Sequence, residues 1–383
     1  MTGARDPSVV FLDHVARESG GEIALLRLIP GIERYRAHVI LAEDGPIASR
    51  LEDAGISTEI LPLDPRTLNV SRERLGRGPS ARQVGASLSY AFRLRRRLRE
   101  LRPSIVHANS LKSGYYGVAA SRLAAVPMVW HVRDRLASDY MPELACRMTR
   151  EVIRYGASGV IANSRVTLET LGPPRAGQPR EVVYDPYRPV RPPRRPTGGR
   201  TTYTIGLVGR ISPWKGQDVF LRAVAELRRT MPDLRARIVG DALFDETGYA
   251  GELKARSVEL GLEDVVEWRG FRSDVEAELA ELDVLVHCST IPEPFGMVVV
   301  EGMAAGLPVI ATDIGGPTEV IHDGTDGLLV APNDPGAIAA AVTRLRTGDL
   351  ADRLGDAAQR SAARFAPEIA GAEVESLYDR ILG

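Results

Sequence analysis

Continuous apolar runs of a few residues alternate with stretches in which apolar residues recur every third or fourth position, and this alternation persists through most of the chain. A short apolar run bounded by turn residues fits a strand covered on both faces, whereas the wider spacing gathers apolar residues on one side of a helix. Strands are predicted at 8–12, 38–42, 58–61, 105–108, 128–131 and 159–163, then at 203–208, 237–240, 265–268, 282–286 and 308–312. Helices are predicted at 23–28, 47–54, 87–101, 113–125, 166–171, 218–229, 296–305 and 335–346, and over 351–382 with a bend at Phe365-Ala366-Pro367. Valines 298–300 alone fit a strand equally well, but the small-residue run Gly302-Met303-Ala304-Ala305-Gly306 favours a tightly packed helix that stops at Gly306. Strand alternating with helix predicts an α/β protein with parallel sheets.

The alternation is interrupted once by DPYRPVRPPRRPTGG at 185–199, where proline removes backbone donors and biases the chain toward an extended linker. The predicted organisation is a first domain over 1–185, a Pro/Arg-rich linker over 186–200, and a second domain over 201–383 whose last helix packs back on the first. A length of 383 residues agrees with two cores. The stretch 64–83, rich in Arg, Pro, Gly and Ser, reads as an irregular excursion able to shape an acceptor pocket.

Composition narrows the class. No run approaches the ~18 uninterrupted apolar residues of a membrane span, no secretory signal is visible, and the two cysteines, Cys146 and Cys288, show no zinc-ligand spacing. A cytoplasmic protein is expected. The net charge of −1 conceals 28 basic and 20 acidic residues over 1–188, four basic over 189–200, and 17 basic and 30 acidic over 201–383, or +8, +4 and −13. A basic first half suits an anionic partner: a phosphorylated ligand, an acidic lipid surface or nucleic acid. Arg93, Arg95, Arg96, Arg97, Arg99 and Arg102 cluster around the apolar spacing of 87–101, a pattern that can lie on an anionic membrane surface but is more often a solvated helix face.

Candidate chemistry gathers where strands are predicted to end, which is where open α/β sheets bind ligands. The stretch 287–316, HCSTIPEPFGMVVVEGMAAGLPVIATDIGG, places Glu293 in a loop and Glu301 about one and a half turns into the following helix. Pro294 stands near the helix start, so free N–H groups there would face a crevice. Ser19-Gly20-Gly21-Glu22 after the first strand reads as a glycine loop opening a helix, a backbone able to approach a phosphate, although a plain turn has the same pattern. Arg210 and Lys215 follow the first strand of the second half; on spacing alone two surface cations are a better reading than a diphosphate site. His131 ends a predicted strand in WHVRD, and its neutral imidazole can accept or donate. There is no GxGxxG, which excludes a dinucleotide fingerprint. Nor is there an Asp-x-Asp pair to hold a metal on a diphosphate, and no residue pair stands out as nucleophile with base.

EPFGMVVVEGMAAGLPVIATDIGG resembles the glutamate–seven residues–glutamate donor motif of the family 4 retaining glycosyltransferases with the GT-B fold, and GRISPWKGQDVFLRAVAEL resembles the same family's arginine–lysine motif. PSIVHANSLKSG, WHVRD and the early glycine loop are similar more weakly. The resemblance implies two Rossmann-like β/α/β domains facing a central cleft, the first on the acceptor side and the second on the nucleotide-sugar side. It implies transfer from a nucleoside-diphosphate sugar to a small-molecule, glycan or lipid-linked acceptor hydroxyl with retained anomeric configuration. Arg210 and Lys215 would bind the diphosphate, Glu301 the ribose, and Glu293 with the amides of Phe295, Gly296 and Met297 the sugar. Gly20 and Gly21 would add phosphate contacts, His131 would approach the reacting carbon, and Arg272 would flank the base. Beyond the donor no cofactor is expected, no metal site, and no nucleic-acid partner. Asp13-His14 match nothing in the family pattern.

Overall fold

In the computed structural model, which describes residues 7–64, 81–189, 201–242 and 246–383, the predicted alternation forms two wholly parallel sheets. The first has the order β3-β2-β1-β4-β5-β6-β7. Its strands are β1 Ser8–Asp13, β2 Arg36–Leu41, β3 Ser57–Ile60, β4 Ile105–Ala108, β5 Met128–Val132, β6 Gly159–Ala162 and β7 Arg180–Val182. They alternate with α1 Gly20–Leu28, α2 Pro46–Asp53, α3 Ala81–Leu101, α4 Leu111–Ala124, α5 Glu143–Gly156 and α6 Arg165–Glu169. Period-two alternation sorts β1 between two cores: Val10 and Leu12 pack with Trp130 and Leu94 on one face, Val9 and Phe11 with Leu25 and Val39 on the other. Both faces are covered, so the strand reads as an unbroken apolar run. Truncating the fully buried Phe11 or Trp130 to alanine would cost about 3–5 kcal/mol.

The second sheet has the order β10-β9-β8-β11-β12-β13. It is built from β8 Tyr203–Val208, β9 Leu234–Val239, β10 Val266–Gly270, β11 Val284–His287, β12 Val309–Thr312 and β13 Leu328–Val330, with α7 Gln217–Arg228, α8 Thr247–Glu259, α9 Val275–Leu279, α10 Met297–Ala304, α11 Pro317–Val320, α12 Pro335–Arg346 and α13 Leu350–Ala362. Contacts divide the chain into a first unit of Met1–Pro186 with Phe365–Gly383, and a second of Tyr187–Arg364. The last helix, Pro367–Leu382, belongs to the first unit. Its Val374, Leu377 and Tyr378 join the core beside β1, and its Glu375 accepts from the amides of Glu33 and Arg34 at 2.8 and 2.5 Å. In each sheet the strand order reverses direction beside the first strand, between β1 and β4 and between β8 and β11. Crevices form at such switch points.

Local differences from the pattern have physical reasons. Gly20 and Gly21 are the first two residues of α1, not a loop, because extended Ser19 (φ −122°, ψ 170°) makes the turn one residue earlier. Residues 298–300 are helical, inside α10, as the small-residue run after them favours. Helix α5 is not predicted by the pattern: its inward face is Ala145, Cys146, Thr149 and Ile153, while its larger apolar residues Leu144 and Met148 are exposed. Most of the irregular stretch, 65–80, and most of the linker, 190–200, lie outside the described residues; 81–83 open α3.

Candidate active site

In the second unit the first turn after β8 is stitched to the chain after β11. Gly216 adopts φ +74°, and a Cβ there would collide with the carbonyl oxygen of Cys288, so this position requires glycine. The Cys288 thiol donates to the Gly216 carbonyl at 3.1 Å, and the Thr290 amide donates to that of Trp214 at 2.8 Å. Burial pushes the Cys288 thiol up to about 12, so it stays protonated and structural. The stitching delivers the Lys215 ammonium to 2.5 Å from Oε1 of Glu293, and it also lies 4.5 Å from the centre of the Trp214 ring.

The other oxygen of Glu293 accepts from Nε2 of His287 at 2.6 Å and from the Ser289 hydroxyl at 2.8 Å. Burial alone would raise the Glu293 carboxyl, but Lys215 and then His287 outweigh it and hold it well below the ordinary carboxylate range. Nδ1 of His287 is buried without a hydrogen-bond partner among the described residues. Gly315, at φ +70°, lies against the Glu293 backbone, and the Gly316 amide donates to the Glu293 carbonyl at 2.8 Å. The two ends of the 287–316 stretch therefore clasp each other. Gly296 (φ +91°) caps α10, Met297 is its first residue, Phe295 is buried beside Gly316, and Glu301 is buried in the second turn. The amides at this helix start carry partial positive charge.

Arg210 also flanks Trp214, its guanidinium 6.0 Å from the ring centre, and its Nε is 3.4 Å from Glu246. Arg272 follows Gly270 at the end of β10, with its Nε 3.3 Å from Glu278, a carboxylate that Arg269 also grips at 2.9 Å. The structure thus joins Lys215 directly to Glu293 and places Arg210 on the same tryptophan, whereas Arg272 belongs to a separate charge cluster on α9. A fixed cation beside a fixed carboxylate at a helix start suits a ligand that carries both phosphate and hydroxyl groups.

In the first unit a buried polar network crosses the ends of β1, β4 and β5. Asp13 accepts from Asn109 at 2.6 Å and from the His14 amide at 2.7 Å; Asn109 also donates to the Gly21 carbonyl at 3.0 Å and accepts from Nε of Arg133 at 3.1 Å. Arg133 pairs with buried Asp185, and its Nη2 lies 3.3 Å from Nδ1 of His131. A Cβ on Gly21 would meet the Arg133 side chain at an ordinary 3.6 Å. Glu22 receives the Ser19 hydroxyl, and burial, then Asp13, push its carboxyl up to about 8. Burial lowers Arg133 to about 10, which leaves it cationic near neutrality.

Residues 19–187 match the family described as Glycosyl transferase 4-like domain, and residues 195–361 match Glycosyl transferases group 1. The D-inositol 3-phosphate glycosyltransferase of Streptomyces coelicolor is 31% identical over 314 residues, covering 72% of this chain and 68% of that protein. The chain belongs to the family 4-type GT-B glycosyltransferases. A relative of the same description from Thermobispora bispora is 30% identical over 88% of both chains. Anabaena HepE in complex with UDP and glucose superposes with a TM-score of 0.83 at 28% identity, over 97% of this chain and 98% of that one. Sucrose-phosphate synthase from Thermosynechococcus elongatus, at 20% identity and a TM-score of 0.78, shares the fold over 98% of both chains.

Sequence reasoning missed several polar residues of this glycosyltransferase. His287 and Ser289 alternate at the end of β11, a period-two signal that could have linked them to Glu293. Arg133 stands two residues after His131 and shares its side of the extended chain, a signal contained in WHVRD. Asp185 and Tyr378 gave none, because only folding brings them near.

Proposed function

We propose that this glycosyltransferase moves a sugar from a nucleoside-diphosphate sugar to an acceptor hydroxyl with retention of anomeric configuration. The observation that carries the reading is the Lys215–Glu293 pair beside the start of α10, with Arg210 on the same tryptophan. Lys215 and Arg210 bind the diphosphate and stabilise charge developing on the leaving group. Glu293 and the amides of Phe295, Gly296 and Met297 hold the sugar, Glu301 holds the ribose, and Arg272 flanks the base. Gly20 and Gly21 at the start of α1 add phosphate contacts, and His131 addresses the sugar. HepE, solved with UDP-glucose, makes a uridine diphosphate sugar the first donor to try. In retaining transfer without a covalent intermediate, the leaving phosphate takes the acceptor proton as the new bond forms on the same face, so the protein supplies charge and position.

The test is turnover of a panel of nucleotide sugars against glycan, lipid-linked and small alcohol acceptors, with the anomeric configuration of the product read by NMR. An inverted product would reject retention, and hydrolysis or epimerisation without transfer would reject the acceptor reaction. Metal independence belongs to the same proposal: chelator treatment leaves turnover intact. This check bears on Asp13, His14 and Glu22, whose ligand atoms lie within 4.8 Å of one another.

A cytoplasmic protein touching the inner membrane face peripherally is part of the proposal. No helix among the described residues is long and apolar enough to span a bilayer. Leu88 and Phe92, one turn apart on α3, are exposed beside Arg93, Arg96 and Arg99, and Leu144 and Met148 are exposed on α5. Such a mixture fits an anionic lipid surface better than nucleic acid, which would leave the aliphatic residues uncovered. Flotation with anionic but not zwitterionic vesicles is expected, weakened by Phe92→Ser. Equal behaviour with both lipids would remove the membrane from the proposal.

A further inference from the structure

The neighbours of His131 leave one arrangement of protons on its ring. Nδ1 lies 3.3 Å from Nη2 of Arg133 and 3.2 Å from Nε2 of His107. A guanidinium can only donate, so Nδ1 of His131 holds a lone pair. His107 must then donate through its own Nε2, which leaves its Nδ1 to accept from the Tyr378 hydroxyl at 2.6 Å. The proton of neutral His131 falls on Nε2, and this atom is buried with no hydrogen-bond partner among the described residues.

We infer that Arg133 and the His107–Tyr378 pair are positioning residues that lock His131 as its Nε2–H tautomer, so that it meets the donor sugar as a hydrogen-bond donor and never as a base. This rests on the proposed placement of His131 at the sugar and defines its role there. A second proton on His131 would face the N–H groups of both Arg133 and His107. Burial, then Arg133, then His107 accordingly hold its imidazolium well below the ordinary range, and burial, then Arg133, lower His107 to about 3. Asp185 pairs with Arg133, and Asp13 supports its charge, so the donor to Nδ1 stays cationic. An N–H aimed from a neutral ring can stabilise charge gathering on a sugar or leaving-group oxygen. Tyr378 enters from the last helix, 271 residues after His107 in sequence.

The tautomer is read directly in ligand-free full-length protein labelled with 15N-histidine, by two-bond proton–nitrogen correlation, with the His131 signals assigned by their loss in His131→Gln. The expected result is a protonated Nε2 and a bare Nδ1 that persist from about pH 6 to 8. A proton on Nδ1, or titration within that range, would overturn the inference. Tyr378→Phe, which keeps the ring, should mix the tautomers and lower kcat roughly three- to tenfold, the size of one neutral hydrogen bond, with uridine diphosphate affinity unchanged. An unchanged tautomer and kcat would remove Tyr378 from the set. If the tautomer is as inferred but His131→Ala keeps full turnover, the placement at the sugar fails while the lock stands.

Discussion

The two units share one architecture and handle buried charge in different ways. In the second, opposite charges meet between two loops: Lys215 and Glu293, 78 residues apart in sequence, follow neighbouring strands, and His287 and Ser289 complete the carboxylate's shell from six and four residues away. In the first, the cation Arg133 takes its counter-ion Asp185 from 52 residues on, and the polar atoms around it come from three strand ends. The contrast teaches that an ion pair can be assembled from two loops near a helix start, whereas His131 takes its neighbours Arg133 and His107 from a network spread over strand ends and the last helix.

Removing the compact charges should break the comparison most strongly. Arg210→Ala and Lys215→Ala are each expected to lower transfer at least about 100-fold, since leaving-group charge would go uncompensated in a low-dielectric site. Near-native turnover in both, with unchanged thermal melting, would dissolve the diphosphate assignment. The two glutamates sharpen the picture within the second unit. Glu293→Gln should depress kcat strongly while nucleoside diphosphate still binds, and Glu301→Gln should mainly raise the donor KM, because ribose is held alike in ground and transition states. Kinetics with diphosphate titration decide this, and melting must accompany them because Glu293→Gln strips Lys215 of its partner. The reverse pattern would exchange the two roles.

In the first unit, His131→Ala should reduce kcat by a smaller factor, about 10-fold, with nucleotide affinity retained. Lost nucleotide binding at unaltered saturated turnover would contradict it. The smallest effect concerns stability. The folded Glu22 carboxyl titrates at about 8, above its unfolded value of 4.5. Its proton is bound more tightly in the folded state, so its contribution is complete below pH 4.5 and is lost as pH rises toward 8. Wild type should therefore lose stability relative to Glu22→Gln across that window, by at most about 1.4 kcal/mol per pH unit. Parallel denaturation curves for the two proteins would show that Glu22 is already ionised when folded.

The sequence by itself determined the α/β class, nearly every strand, and the strand-end location of the candidates. Period and turn chemistry act over a few residues and are written locally. It also singled out Lys215, Arg210 and Glu293, which the fold brings together in the loops after β8 and β11, and Glu301 in the helix that follows. Tertiary structure alone decided that α5 leaves Leu144 and Met148 outward, and that Arg272 spends its charge on Glu278. It also decided that the last helix, expected to pack back on the first domain, brings Tyr378 to His107. Those outcomes depend on which distant side chains share a buried volume, and on where a lone pair finds its only compatible donor. No local periodicity encodes either.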